Sequence, residues 1–171
     1  MMALMSQDKR ISEAHAATYL NCAREFYETA ERLFDPKGTV SRRIDFQYAQ
    51  AMELAFKAFL RAHGIPIDKK SGTWGHGLTK LYEKCRGLGL TISANDRVDI
   101  GNIVNFLDHA NEHEGLRYPN PDLEAVADVS WIRQVVRDLM EVVEREVDAY
   151  NQHNPADTRA DKLVITFGKP Q

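Results

Sequence analysis

Apolar positions recur at steps of three and four through most of the chain, the spacing of one helix face. Leu20, Ala23, Phe26, Tyr27, Ala30, Leu33 and Phe34 form the first such stripe, predicting a helix from about Ser12 to Phe34. Asp35-Pro36-Lys37-Gly38 breaks it. A second helix is predicted from Ser41 to His63, and it is apolar almost all round. Ala49, Met52, Leu54, Ala55, Phe56, Ala58, Phe59 and Leu60 cover nearly every side of it. Such a helix must pack against several neighbours. Gly64 suits a left-handed cap, and Pro66 cannot continue the helix.

Residues 67–75 are polar and form a loop that carries Trp74. A third helix starts near His76, buries Leu78, Leu81, Tyr82, Cys85 and Leu88, and closes at Gly87 and Gly89. Ser93 is a plausible cap for a fourth, with Asp96 three residues on. Ile100, Ile103, Val104, Leu107 and Ala110 carry that helix to about Glu114. Leu116 to Pro121 is an extended connector, because a residue before Pro is pushed away from helix. The last helix is expected over Leu123 to Gln152. Its many Val residues suit strand by propensity, but their three-to-four spacing and interleaved charges decide for helix. The expected fold is all-α: an up-and-down antiparallel bundle of about five helices, with an extended C-terminal tail. The expected organisation is an N-terminal extension over 1–11, one bundle domain over 12–153, and a linker and tail over 154–171. The tail holds a short β-prone run, Leu163 to Phe167.

At 171 residues the chain is long enough for one domain with a real core. A net charge of −3 argues against broad electrostatic binding of nucleic acid. No stretch reaches the roughly 18 apolar residues of a membrane span, and no secretory signal is visible at the start. Cys22 and Cys85 form no CxxC and suit buried thiols of a reducing compartment. The expectation is a cytoplasmic protein that needs no cofactor or metal.

Glu53 and Lys57 are the most informative charges. They lie one turn apart inside the apolar helix, in the favoured acid-before-base order. One reading makes them a structural pair. The other makes them the floor of a polar, phosphate-binding cluster with His76, Arg117 and Tyr118. His76 could also cap its own helix. His109-Ala-Asn-Glu-His113 matches the H-x-x-E-H pattern of some zinc peptidases, but no third protein ligand is marked, so a metal site is not expected. Arg42-Arg43 and Lys69-Lys70 lack interleaved aromatics and suit solvated surface, with Trp74 as one aromatic on which a base could stack.

The chain resembles the HEPN superfamily of helical bundles. The resemblance rests on Ala23-Arg-Glu-Phe-Tyr-Glu-Thr-Ala30, Gln50-Ala-Met-Glu-Leu-Ala-Phe-Lys-Ala-Phe-Leu60 with His63-Gly64, His76-Gly-Leu-Thr-Lys-Leu81, the Ile103-to-Leu107 helix and Leu116-Arg-Tyr-Pro119. It implies a bundle that often dimerises. It also implies either an RNA-cleaving activity, frequent in phage-defence and toxin–antitoxin systems, or a non-catalytic role in binding a nucleotide, RNA or a protein encoded by a neighbouring gene. Catalytic members carry Arg, four to six residues, then His in a late helix. Here the only Arg-x4-His is Arg10-Ile-Ser-Glu-Ala-His15, at the opposite end of the chain. A non-catalytic binding protein is therefore the first expectation. A metal-independent endoribonuclease using Lys57, His76 and Arg117 is the second, and a structural homo-oligomeric module the third.

Overall fold

The computed structural model describes residues 15–34, 42–67, 77–93, 100–112 and 128–154. Among them are five helices and no strand: α1 (Ala16–Leu33), α2 (Arg42–Ala62), α3 (Leu78–Gly87), α4 (Ile100–Glu112) and α5 (Val129–His153). The all-α bundle expected from the periodicity is what forms. The tail from 155 onward lies outside the described residues.

The helix apolar all round is the central one, since α2 packs against each of the other four. Tyr48, Ala51, Met52, Ala55, Phe56, Ala58 and Leu60 are fully enclosed. On α1 the buried positions are mostly alanines, Ala16, Ala23 and Ala30, and these short side chains let α1 and α2 approach closely. The Val-rich face of α5 closes the core with Val135, Val136, Leu139, Val143 and Val147.

Side-chain pairs set the helix directions. Late α1 meets early α2 through Glu31 and Tyr48, so these two run antiparallel. Arg24 meets Glu144 and Glu31 meets Arg133, which makes α1 and α5 antiparallel as well. It follows that α5 runs parallel to α2, and His63 of the segment after α2 reaches Glu146 on α5. One parallel pair thus joins the expected alternation.

Helix ends correct several expected boundaries. His15 is extended (φ −72°, ψ 160°) while its carbonyl already accepts from the Thr18 and Tyr19 amides. The helix cannot run back through it, so α1 starts at Ala16 rather than Ser12. Asp128 is extended too, and its carboxylate accepts from the Ser130 amide at 2.8 Å. That is an N-cap, so α5 starts at Val129 rather than Leu123. Leu33, expected on the buried stripe, is half exposed; it is the last residue of α1, and the chain turns extended at Phe34. The α2 end follows the sequence reading. Gly64 has φ +75°, with the Ile65 amide on the Leu60 carbonyl and the Gly64 amide on that of Arg61.

The start of α3 is held from outside. Gly77 offers no side-chain cap. Instead Asp108 of α4 accepts from the Leu78 amide at 2.7 Å and the Thr79 amide at 3.0 Å. His76, the cap anticipated from the sequence, lies outside the described residues, and the cap that is described comes from α4. No described helix is long and apolar enough to cross a membrane.

Candidate functional site

The central charges meet. Lys57 Nζ donates to Glu53 Oε1 at 2.6 Å, and the two residues are only 9% and 3% exposed. Their order along the helix explains the geometry, since a Glu one turn before a Lys points its carboxylate at the ammonium. Enclosing two charges is expensive, and only close pairing offsets the lost hydration. Tyr19 on α1 shares this neighbourhood. Burial is the main cause that raises its hydroxyl pKa, while Arg61 pulls it down and Cys22 and Glu53 push it up. The α1–α2 seam therefore holds Tyr19, Glu53, Lys57 and Arg61.

Of the expected polar cluster, the structure brings together Glu53 and Lys57. His76, Arg117 and Tyr118 lie outside the described residues, as do Trp74, Lys69-Lys70 and His113. His109 is on an exposed side of α4. Among the described residues no group of three His, Cys, Asp or Glu side chains could hold a metal. Cys85 is buried and its thiol is pushed up to about 12 by burial; Cys22 is half-buried rather than enclosed, and both are free.

Three polar features escaped sequence reasoning. The first ties α1, α2 and α5 at one end of the bundle. Glu31 accepts from the Tyr48 hydroxyl at 2.7 Å and from two nitrogens of Arg133, Nη2 at 2.7 Å and Nε at 2.9 Å. The paired guanidinium, chiefly, holds the Glu31 carboxyl below its usual range. Burial, with the carboxylate beside it, raises the Tyr48 hydroxyl far above its ordinary value. The Arg133 guanidinium also lies 4.6 Å from the centre of the Phe34 ring. Both charges interrupt apolar stripes, Glu31 between Tyr27 and Phe34 and Arg133 between Val129 and Val136. That was a signal, but nothing in the sequence pairs residues so far apart.

The second feature is Asp45, in the first turn of α2. It is 4% exposed, and its Oδ1 has no hydrogen-bond partner among the described residues. Burial pushes its carboxyl up to about 6. The third is the Asp108 cap on α3.

The assembly is thus a helical domain in which charged side chains largely fasten helices to one another. Its central helix is the one that carries the enclosed Glu53–Lys57 pair. This chain belongs to the HEPN domain family, whose model matches residues 16–148, from the first residue of α1 to near the end of α5. No match was found among curated proteins or among solved structures.

Proposed function

We propose that this HEPN-domain protein acts by binding and not by cutting RNA, with a nucleotide, RNA or a neighbouring-gene protein as its partner, as a homodimer. One observation carries the reading. Lys57, the cation best placed to neutralise a phosphate in the central cluster, is closed onto Glu53 at 2.6 Å and withdrawn from solvent. A general acid or base must come within hydrogen-bond reach of its substrate proton, and an ammonium locked to an enclosed carboxylate does not offer that reach. The sequence supports the same reading, because the late-helix Arg and His of catalytic relatives are missing.

The competing endoribonuclease would use Lys57, His76 and Arg117. Incubation of purified protein with structured and single-stranded RNA, without added metal, separates the two. Binding without cleavage is expected, together with a light-scattering mass about twice the 19.5 kDa of one chain. Robust cleavage that disappears in His76→Ala would establish the nuclease instead. A monomer mass at micromolar concentration would remove the dimer.

A further inference from the structure

The α3–α4 corner holds a cation, Arg86, that makes no ion pair among the described residues. A cavity of about 540 Å³ opens there, within the roughly 300–1,000 Å³ of small-molecule sites. Tyr82 and Arg86 line it from α3, Leu90, Thr91 and Ile92 from the segment after α3, and Ile100 from α4. The Tyr82 ring is braced from behind by Phe56, with ring centres 5.8 Å apart. Phe56 is itself fully buried on the central helix, so this wall of the cavity is fixed to the core. Arg86 is exposed, and its guanidinium lies 5.7 Å from the Tyr82 ring centre. It makes no ion pair with any described residue, whereas Arg24, Arg32, Arg133 and Arg137 each meet a carboxylate.

A basic residue in the last turn of a helix is favoured by the carbonyl end of the helix. That accounts for a cation in this turn, as it does for Lys84, and one-turn spacing lays the Arg86 guanidinium beside the Tyr82 ring; the cavity is what gives the two a shared open face. Apolar contacts come from Leu90, Ile92 and Ile100, and a hydroxyl from Thr91. A guanidinium fork pairs well with a phosphate or carboxylate, and a flat ring stacks on tyrosine or on the guanidinium plane.

We propose that this cavity binds a small anion that carries a flat ring, with Arg86 on the anionic group and Tyr82 against the ring. The proposal rests on the reading of the domain as a binder, and it places one ligand at the α3–α4 corner, away from the Glu53–Lys57 pair. Adenosine 5′-monophosphate is a suitable probe, because it joins a two-ring base to a phosphate. Adenosine and inorganic phosphate each supply one half.

The test is calorimetric titration of the full chain with these three compounds, using wild type, Arg86→Gln and Tyr82→Leu. The monophosphate is expected to bind wild type, with each half at least about tenfold weaker, and Arg86→Gln is expected to lose about tenfold or more, as for a lost charge-assisted contact. Thermal unfolding of Arg86→Gln should match wild type, since this exposed side chain holds no helix in place. Tyr82→Leu should weaken the monophosphate and leave inorganic phosphate nearly unchanged. Failure of wild type to bind the monophosphate overturns the proposal. Equal binding by wild type and Arg86→Gln overturns the site while leaving a binding function intact. RNA cleavage would instead overturn the functional reading and leave the cavity's ligand to this titration.

Discussion

Lys57 and Arg86 are both cations beside the bundle core, and they differ in what they meet. Lys57 points along its own helix to Glu53, is enclosed, and serves the fold. Arg86 points out of α3 across an aromatic ring into an open cavity, with no acid among the described residues to hold it. Among the described residues, then, the central cation is closed onto its own helix and the corner cation faces an open cavity. A second contrast runs along α2 itself. Glu53 has its counter-charge one turn away, whereas Asp45, two turns earlier, is equally enclosed with no counter-charge in contact among the described residues. The partnered acid lies 2.6 Å from its ammonium. Asp45 has its proton affinity raised, because burial penalises the charged form.

The sharpest way to break this contrast is to open the central pair. Lys57→Met should cost about 3–5 kcal/mol of unfolding free energy, because the Glu53 carboxylate would stay enclosed without its ammonium. Replacing both, as Glu53→Leu with Lys57→Met, should recover most of that loss. Denaturant unfolding of the three proteins measures it. A single-variant cost below about 1 kcal/mol would mean that the pair behaves like a surface pair and is open to solvent.

Asp45 gives the opposite sign. Its carboxyl is raised from 3.8 to about 6 on folding, so the folded state holds a proton that the unfolded chain has released. The folded state is therefore favoured below about pH 4, and that advantage is lost as the pH rises through 6. At pH 7 the buried carboxylate costs up to about 3 kcal/mol, so Asp45→Asn should stabilise the protein there and flatten the pH dependence between 4 and 6. Urea unfolding of both proteins across that range is the check. A variant no more stable than wild type at pH 7 would show that the carboxylate has a partner after all.

The smallest expected effect is at α3. Asp108→Ala removes the cap supplied by α4 and should cost about 1 kcal/mol, in the usual range for a lost N-cap. Because α3 carries Tyr82 and Arg86, the same variant should weaken ligand binding at the cavity. Hydrogen exchange at the Leu78 and Thr79 amides reports the cap directly, and unchanged protection there would contradict it.

Much of this was legible in the chain. The all-round apolar pattern of α2 marked it as central, and one-turn spacing predicted that Glu53 and Lys57 would meet. Gly64 predicted how α2 ends. What stayed hidden was non-local. Glu31 and Arg133 are 102 positions apart, and Asp108 caps a helix 30 positions upstream. Each looks like an ordinary surface charge until two helices are brought together. Asp45 was hidden for another reason: periodicity places it on the buried side of α2, but an acid in a first helical turn is so common that its sequence position alone carries little weight. The cavity likewise exists only once α3 and α4 are paired. The remaining expected site residues, His76, Arg117 and Tyr118, fall outside the described residues, so their place beside Glu53 stays a proposal.

We propose that this bundle binds RNA or a nucleotide and does not cut RNA. The most direct measurement is a metal-free RNA cleavage assay with purified wild type and His76→Ala. No cleavage by either protein is expected. Cleavage by wild type that is lost in the variant would establish a nuclease instead of a binder.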